Sequence, residues 1–459
     1  MSTEIISQLT NMRHYFESGV TKPYAFRKQQ LLALKKSVIA YEAEIYAALY
    51  ADLKKSKEEC WVTENGFFLT ELNETISNLR LWMEPESVST NLLNMPSSSR
   101  GMKEPLGVVL AIGPWNYPFQ LLFTPLMGAI AAGNCVVLKP SEFAPATATV
   151  MQKIVETTFS KEFVMYVPGD GATVIPEMMN HFAFDHVFYT GSTAVGRVIY
   201  KMAAEKLVPV TLELGGKSPC VVEADANISV AAKRIAMPKY SNAGQMCVAP
   251  DYVLVHTSKK AALINELVKV IPQFYGSDPA NTDGYGRMIN EKQFNRVVNY
   301  LKNEKIIYGG KYDITHLFIE PTILDDISID SPIMKEEIFG PILPILTFNT
   351  MEEAKAIIAH NPNPLAFYIF TSSNDRANEW LDAIPAGGAC VNNASLHLTN
   401  PNLPFGGRGF SGTGAYHGKY SFDTFSHKKA VMKTPTWFDP SMKYPPFTGK
   451  LNLLKWLIG

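Results

Sequence analysis

Cys247 has the sequence surroundings of a nucleophile. It lies in the segment SNAGQMCVAP, among small and polar residues just before the apolar run YVLVH, whereas Cys135 and Cys220 lie inside apolar runs. A cysteine inside an apolar strand is usually a small buried hydrophobic residue, whereas a cysteine in a loop can attack an electrophile once it is deprotonated. Cys247 is therefore the candidate for covalent chemistry, and a structural role stays open from the residues alone.

Two other side chains could assist that chemistry. Glu213, in LELGG, is a carboxylate at the end of an otherwise apolar strand, where burial would raise its pKa toward the range of a general base. Asn116, in GPWNYP, follows another predicted strand, and its amide could donate a hydrogen bond to an oxyanion. Each has an ordinary alternative, because Glu213 could pair with a buried cation and Asn116 could form a turn.

A glycine-containing turn could bind phosphate. The segment from Gly191 to Gly196 lies between a predicted strand and a predicted helix, where free backbone N–H groups and the helix dipole favour anions. It lacks the middle glycine of G-x-G-x-x-G, so a tight turn without a ligand is an equal alternative. The segment from Gly169 to Gly171 lacks the last glycine and is a weaker candidate.

Composition excludes several classes of protein. The 42 Lys and Arg residues and 43 Asp and Glu residues give a net charge of -1, so no overall cationic field favours nucleic acid or a membrane. The 459 residues exceed the usual size of one hydrophobic core, which predicts more than one domain. The five cysteines include no C-x-x-C pair and the nine histidines no H-E-x-x-H pair. We therefore expect no metal site and a reducing, cytoplasmic location.

The elements that must position these residues follow an α/β pattern. The first hundred residues are predicted to be helical, with one long helix after Pro23. Helical stretches then alternate with apolar strands at 107–112, 135–139, 163–167, 186–190 and 209–214. This alternation predicts βαβ units and a doubly wound, dinucleotide-type sheet. A second α/β domain is predicted from strands at 219–223, 252–256, 342–348, 368–371 and 389–392.

Six segments occur in an order that resembles the aldehyde dehydrogenase superfamily: PWNYP, VLKPSE, FYTGSTAVG, LELGGKSP, GQMC and EEIFGP. The similarity runs from about residue 20 to 434, and residues 404–427 resemble the class 3 and fatty aldehyde dehydrogenase branch. It implies an NAD(P)-dependent oxidation of an aldehyde to a carboxylic acid. The implied architecture is a Rossmann-like NAD(P)-binding domain (1–82 and 106–213), an α/β catalytic domain (214–418), a bridging oligomerisation element (83–105 and 419–434) and a C-terminal tail (435–459).

The resemblance also assigns a role to each site residue. Cys247 would attack the aldehyde, Asn116 and the Cys247 backbone N–H would hold the oxyanion, and Glu213 would activate the water that hydrolyses the thioester. CoA-acylating relatives generally lack a carboxylate at the position of Glu213, so hydrolysis is the expected outcome. The implied contacts with NAD or NADP are Trp115, Gly191 and Gly196 in general, Lys139 and Glu142 at the adenosine ribose, Ser192 at the pyrophosphate, Glu337 at the nicotinamide ribose and Phe339 at the nicotinamide.

Substrate and assembly rest on weaker signals. An apolar tunnel for medium or long aliphatic or aromatic aldehydes is predicted from Phe67, Phe68, Tyr117, Leu121 and Met246. One alternative is a semialdehyde-specific enzyme in which Arg408 binds an anion, and another is a non-catalytic protein on the same fold. We expect a homodimer. The apolar tail residues Leu451, Leu453, Leu454, Trp456, Leu457 and Ile458 are expected to dock on it, with peripheral membrane contact as the alternative.

Overall fold

The structure is a computed structural model that describes residues 2–458, with the side chains of residues 4–456. The helices in this range are α1 (Ser2–Glu17), α2 (Tyr24–Ala40), α3 (Glu42–Leu53), α4 (Lys57–Thr63), α5 (Asn65–Met83), α6 (Gln120–Ala132), α7 (Pro145–Thr158), α8 (Gly171–His181), α9 (Thr193–Glu205), α10 (Ile228–Tyr240), α11 (Lys260–Tyr275), α12 (Glu291–Asn299), α13 (Met351–Ile358), α14 (Asn374–Ala383), α15 (Lys419–Thr424) and α16 (Leu451–Ile458).

Eighteen strands connect with these helices in the described range. They are β1 (Glu86–Val88), β2 (Ser98–Pro105), β3 (Val108–Ile112), β4 (Cys135–Lys139), β5 (Val164–Tyr166), β6 (His186–Thr190), β7 (Val210–Glu213), β8 (Pro219–Val222), β9 (Tyr252–His256), β10 (Lys305–Tyr308), β11 (Tyr312–Asp313), β12 (Phe318–Ile319), β13 (Thr322–Asp325), β14 (Ile342–Phe348), β15 (Ala366–Phe370), β16 (Gly388–Val391), β17 (Gly412–Thr413) and β18 (Ser426–Lys433).

The first large sheet contains the strands predicted between residues 107 and 214. Its order is β17-β7-β6-β3-β4-β5, and all neighbours are parallel except β17, which pairs antiparallel with β7 at one edge. Every residue of β3, β4 and β6 is buried. Burial on both faces explains the uninterrupted apolar runs, since neither face of these strands meets water.

The second large sheet has the order β10-β13-β14-β9-β8-β15-β16, and only its edge strand β10 is antiparallel to its neighbour. The predicted α/β fold class is therefore correct for both sheets, with an antiparallel strand at one edge of each. No helix in residues 2–458 is both long enough and apolar enough to cross a bilayer.

A third sheet corrects the helical prediction for the first hundred residues. Helices extend only to Met83, and residues after it form β1 and β2, which pair with each other and with β18 as an antiparallel sheet of order β1-β2-β18. The single long helix predicted after Pro23 is also two helices, α2 and α3, separated at Tyr41. Strand β2 pairs with β18, more than 300 positions away, and β1 pairs with β2, so a local pattern does not contain this sheet.

Residues on both sides of the boundary predicted at residue 418 contact the first sheet. Strand β17 continues this sheet beside β7, and α15 packs on α6. The approach is close, because a Cβ added to Gly128 would lie 2.7 Å from the Ser421 Cβ. Helix α15 also contacts β18, and its Asp423 pairs with Lys103 of β2, so the boundary at 418 stays a prediction.

The order of the two large sheets creates one meeting place for functional loops. The loops that follow β3, β6 and β7 leave the carboxyl edge of the first sheet, whereas the loops that precede β9 and β14 enter the amino edge of the second. Residues of all five loops line a common cavity. Ligands in open α/β sheets bind outside the carboxyl ends of the strands, so this cavity is the expected place for a site.

Candidate active site

A cavity of about 820 Å³ brings together residues from both large sheets. The predicted site residues that line it are Trp115, Asn116, Gly191, Ser192, Glu213, Cys247, Glu337 and Phe339. Lys139, Glu142 and Gly196 lie outside its lining. Gly196 is instead buried in α9, where a Cβ would come within 2.6 Å of the Leu214 side chain. Its role in the structure is the close packing of α9 on the strand that carries Glu213.

The loop before Cys247 has an unusual backbone. Asn242, Ala243 and Gly244 have consecutive φ angles of 50°, 51° and 73°, a left-handed conformation that only the glycine adopts readily. The Gln245 side chain braces this turn by donating to the Asn242 carbonyl at 3.0 Å. Its amide oxygen also accepts from the Ile289 backbone N–H at 3.0 Å. The next turn of chain places Cys247 at the cavity.

Cys247 is half-buried and free of any disulfide. Burial raises the pKa of its thiol, and the nearby carboxyl groups of Glu337 and Glu213 raise it further. The resting thiol is therefore protonated at neutral pH, and it needs a proton acceptor before it can attack an electrophile.

Glu213 can be that acceptor, because it is buried without a partner. It is the last residue of β7, held between Thr190 of β6 and Gly412 of β17, and it is only 2% exposed. Neither carboxylate oxygen has a hydrogen-bond partner among the described residues, so pairing with a buried cation does not occur. Burial raises the pKa of this carboxyl group well above its usual value. A group in this state is a strong base whenever it is ionised.

Asn116 is fixed by hydrogen bonds on both its side chain and its backbone. The Nδ2 atom donates to the Gln245 carbonyl at 3.0 Å, and the Asn116 carbonyl accepts from Asn242 Nδ2 at 2.8 Å. An amide nitrogen carries two N–H groups, so the side chain retains one donor for the cavity that it lines. Asn116 thus connects the first sheet to the Cys247 loop, and it is more than a turn-forming residue.

The turn after β6 suits a phosphate group. Ser192 caps α9 by accepting from the Val195 N–H at 3.4 Å, and Gly191 to Thr193 line the cavity at the start of this helix. A Cβ on Gly191 would overlap the Tyr189 hydroxyl, so only glycine fits there. A helix N-terminus that opens into a cavity favours an anion, which fits the pyrophosphate of a dinucleotide.

Glu337 and Phe339 complete the opposite wall. Burial, followed by the charge of Asp251, raises the pKa of Glu337 to about 8. Phe339 has φ 46° and packs edge-to-face on Trp115, with 5.3 Å between ring centroids. The strained Phe339 backbone is thus held by an aromatic contact across the cavity. Among residues 2–458, no group of three His, Cys, Asp or Glu side chains is placed to hold a metal ion.

Lys139 is the last residue of β4, and Glu142 follows it in the next loop. Lys139 Nζ donates to Glu142 Oε2 at 3.2 Å, and Glu142 Oε1 accepts from the Gly171 N–H at 3.2 Å. The carboxylate therefore faces the start of α8, the segment that the sequence offered as a weaker phosphate turn. This geometry fixes the direction of Glu142, and its contact with a ribose stays a prediction.

Two substrate-site predictions need correction. Phe67, Tyr117, Leu121 and Met246 line the cavity, whereas the neighbouring Phe68 is fully buried. Phe68 packs edge-to-face on two phenylalanines of the core, Phe119 and Phe123. Phe68 therefore belongs to the core and not to the cavity lining.

Arg408 does not provide the anion site of the semialdehyde alternative. It is exposed and lies outside the cavity lining. The sequence analysis did not single out several other cavity residues, among them Glu59, Ser395, Leu398, Tyr416 and His417. Glu59, Ser395 and Leu398 lie outside the quoted motifs, whereas Tyr416 and His417 lie within 404–427, a segment that served only for the resemblance.

The site combines a free, half-buried cysteine, an unpaired buried carboxyl group and a helix N-terminus that opens into the same cavity, an arrangement suited to an oxidoreductase that uses a dinucleotide. The family model for the aldehyde dehydrogenase family matches residues 3–431, and the chain belongs to this family. Its members oxidise aldehydes with NAD or NADP. The predictions of family, enzyme class and cofactor are therefore confirmed.

Three relatives and one solved structure show the extent of the similarity. The 4,4'-diaponeurosporen-aldehyde dehydrogenase of Staphylococcus aureus is 45% identical over 96% of this chain and 96% of its own. Aldehyde dehydrogenase family 3 member H1 of Arabidopsis thaliana is 44% identical over 100% and 95%. The dimeric NADP-preferring aldehyde dehydrogenase of Mus musculus is 41% identical over 98% and 99%. The substrate-bound structure of Staphylococcus aureus AldH has 44% identity, a TM-score of 0.96 and 99% coverage of each chain.

The position of Glu142 generates a prediction about cofactor choice. Glu142→Gln should raise the ratio of kcat/KM for NADP to that for NAD by about five- to tenfold, because it removes a like charge beside the 2′-phosphate, worth about 1 kcal/mol at a solvated site. Steady-state kinetics with both cofactors measure this ratio. Glu156→Gln, on an exposed face of α7, is the control for an equal loss of charge. An unchanged ratio would show that Glu142 does not face the ribose.

The environment of Glu213 generates a prediction about pH. Because burial raises its pKa and only the ionised carboxylate accepts a proton, kcat should fall as the pH falls through that raised pKa. The midpoint of this acid limb should lie above about 4.3, the value of an unperturbed glutamate. It is measured as kcat against pH, with recovery of activity at pH 7 as the control for denaturation. A kcat that stays constant down to about pH 4.3 would contradict the assignment.

Proposed function

We propose that the chain oxidises medium-chain, long-chain or aromatic aldehydes to carboxylic acids by hydrolysis of an acyl-Cys247 thioester. The observation that carries this proposal is the unpaired, buried carboxyl group of Glu213 in the same cavity as the Cys247 thiol. A base in this position can activate a water molecule, which then accepts the acyl group. A CoA-acylating enzyme has no need for such a base, because CoA accepts the acyl group.

The first half-reaction begins with loss of the Cys247 proton to Glu213. The sulfur attacks the aldehyde carbon, and the carbonyl electron pair moves to oxygen, where the Asn116 amide and the Cys247 backbone N–H donate to it. A bound NAD or NADP supplies the acceptor for the hydrogen of the aldehyde and its two electrons. When the C=O bond forms again and the C–H bond breaks, the acyl group remains on Cys247 as a thioester.

The second half-reaction uses Glu213 on water. After Glu213 has lost the thiol proton to solvent, it takes a proton from a water molecule, whose oxygen attacks the thioester carbon. The C–S bond then breaks, and the carboxylic acid leaves while the sulfur is protonated again. The same oxyanion donors serve both steps, so Asn116 contributes to each half-reaction.

The lining of the cavity supports the substrate class. Phe67, Tyr117, Leu121 and Met246 contribute aromatic and apolar surface near Cys247. Such a lining favours an apolar aldehyde through the burial of its chain. Arg408, the residue proposed to bind the anion of a semialdehyde, lies outside this lining, which supports the apolar class of substrate. The presence of Cys247 and Glu213 in one cavity supports an enzyme rather than a non-catalytic protein.

The cofactor proposal keeps the residues that the motifs implied. The start of α9 at Ser192 would hold the pyrophosphate, and Lys139 and Glu142 would hold the adenosine ribose. Glu337 would hold the nicotinamide ribose, with Phe339 and Trp115 beside the ring. The glycine at 191, the open helix N-terminus and the shared cavity support this arrangement.

A homodimer in the cytoplasm is part of the same proposal. Five free cysteines suit a reducing compartment. The small antiparallel sheet exposes Val88 and Met432, and α16 lies against the neighbouring turn Leu92–Asn94 with Leu451 and Trp456 exposed. The side chains of Leu457 and Ile458 lie outside the described residues. This joined apolar surface would be covered by a second copy of the chain, as the name of the dimeric mouse relative also suggests.

The two half-reactions should fail separately in variants. Cys247→Ala should form no NADH even in a single turnover, because no covalent route remains. Glu213→Gln should form up to about one NADH per active site, in a burst that is slowed because the thiol has lost its proton acceptor, and then stop as an acyl-enzyme, since its amide cannot accept a proton from water. Rapid mixing with intact-mass analysis of the quenched protein measures both results.

Cys390→Ala is the matched control, because Cys390 is also half-buried and free but lies outside the cavity. It should retain normal turnover. Full steady-state turnover by Glu213→Gln, or an acyl adduct on any cysteine other than Cys247, would contradict the proposed roles.

Deletion of residues 446–459 tests the proposed role of the tail. Removal of α16 should weaken the dimer, because its exposed apolar side chains would no longer contribute to the interface. Sedimentation at several protein concentrations measures the dimer, and flotation with anionic liposomes measures membrane binding. If the truncated protein keeps the dimer and its activity but loses liposome binding, the role of the tail is membrane contact and not docking on the dimer.

A further inference from the structure

A buried ion pair lies directly behind the proposed oxyanion donor. The side chains of Lys55 and Glu64 are both 0% exposed, and Lys55 Nζ lies 2.7 Å from Glu64 Oε1. Lys55 Nζ also donates to the backbone carbonyl of Asn116 at 3.0 Å. Neither residue lines the cavity, and neither belongs to a motif that led to the function.

The remaining bonds of this pair lead into the same loop. Glu64 Oε2 accepts from the Gln120 backbone N–H at 2.9 Å, at the start of α6. Lys55 Nζ lies 3.8 Å from the centre of the Tyr117 ring, an attractive cation–π contact. The ion pair therefore holds the segment from Asn116 to Gln120 at both of its ends. This segment contains the Asn116 side-chain amide and leads into α6.

The Asn116 carbonyl also joins Lys55 to the loop of the nucleophile. It accepts a second hydrogen bond from Asn242 Nδ2 at 2.8 Å, and the Asn242 backbone N–H donates to Glu59 Oε1 at 2.8 Å. Asn242 is the first residue of the left-handed turn before Cys247. One carbonyl oxygen is therefore the point where the ammonium, the oxyanion donor and the nucleophile loop meet.

Energetics favour positioning as the function of the ion pair. Replacing a buried ion pair by apolar residues of similar volume is often neutral or stabilising, because desolvation offsets the attraction between the charges. In contrast, consecutive left-handed residues such as Asn242 and Ala243 cost about 1–2 kcal/mol each and persist only where the surroundings hold them. The bonds to Asn242 and Asn116 supply that restraint.

We propose that Lys55 is a positioning residue, whose bond to the Asn116 carbonyl aligns the Asn116 amide with Cys247 for the developing oxyanion. Glu64 neutralises and orients the ammonium, and Glu59 holds the other side of the turn through Asn242. This inference rests on the proposed roles of Asn116 and Cys247. Lys55 acts through Asn116 and does not touch the substrate.

The test removes both charges together, so that no unpaired charge is left inside. Lys55→Met with Glu64→Gln should lower kcat and the rate of the NADH burst by about 10- to 100-fold, a part of the 10²- to 10³-fold effect of losing an oxyanion donor. KM for the cofactor and the thermal midpoint should change little. Lys153→Met with Glu44→Gln, an exposed pair at 3.0 Å, is the matched control and should behave as the unaltered enzyme.

The distinguishing readout is a double-mutant cycle with Asn116→Ala. If Lys55 acts through the Asn116 amide, its removal should cost little once that amide is absent, so the two losses should not add. Losses in kcat that multiply independently, or a charge-free variant with full kcat, would overturn the proposal. A structural role alone predicts the same relative loss in both backgrounds.

A second variant covers failure of the charge-free protein to fold. Asn242→Gly keeps the left-handed turn accessible and removes the other donor to the Asn116 carbonyl, so it should also lower kcat and should also fail to add to Asn116→Ala. Additive losses here would overturn the proposal. Intact-mass analysis of the unaltered enzyme distinguishes a failure of the proposed function from a failure of the proposal for Lys55. An acyl group on a residue other than Cys247 would refute the proposed function, whatever the result for Lys55.

Discussion

The burial of Glu213 without a partner is the constraint on which the site depends. A carboxyl group in an apolar interior loses its hydration and gains nothing in return, so it lowers the stability of the fold. The structure holds it there by placing it at the end of β7, between β6 and the short edge strand β17. The ladder hydrogen bonds and the apolar core of the first sheet supply the stability that the carboxyl group itself removes.

A second unfavourable feature of the site is the strained backbone of the turn before Cys247. Asn242 and Ala243 adopt their left-handed conformation just before Cys247, which lines the same cavity as Glu213. The Gln245 side chain donates a hydrogen bond to the Asn242 carbonyl, and the Asn242 side chain donates one to the Asn116 carbonyl, so these bonds offset the cost of that conformation. Glu213 ends a strand of the first sheet and Cys247 precedes a strand of the second, and the hydrogen bonds of Asn116 connect the two loops.

The sequence predicts those parts of the structure that local physics determines. Strands buried on both faces leave apolar runs, so β3, β4, β6 and β9 were found where they were expected. Eight of the residues that the motifs implied line the cavity, whereas Lys139, Glu142 and Gly196 lie outside its lining. Strand β1 was missed because all its residues are exposed, and β2 because it is only partly buried and pairs with β18, far along the chain. The roles of Lys139 and Glu142 stay predictions.

The burial of charged side chains also could not be predicted from the sequence. Lys55 and Glu64 stand in a helical region rich in charged residues, where a lysine and a glutamate ordinarily face water. Nothing in a periodic pattern distinguishes a charge that is buried in a pair from one that is solvated. Only the assembled contacts show that these two point inward, toward a backbone carbonyl of a loop about sixty residues away in sequence.

Two of the glutamates that line the cavity, the buried Glu213 and the half-buried Glu337, have surroundings that give them different chemistry. Glu337 is a raised-pKa carboxyl group too, but a backbone N–H at Gly216 and the charges of Arg296 and Lys217 act against the effect of burial. Glu213 has no such compensation. A carboxylate with fixed donors and cations around it is suited to accept a hydrogen bond and stay in place. A carboxylate without donors or cations around it binds a proton more strongly. Glu213 is therefore the better candidate to accept a proton from a thiol or from water.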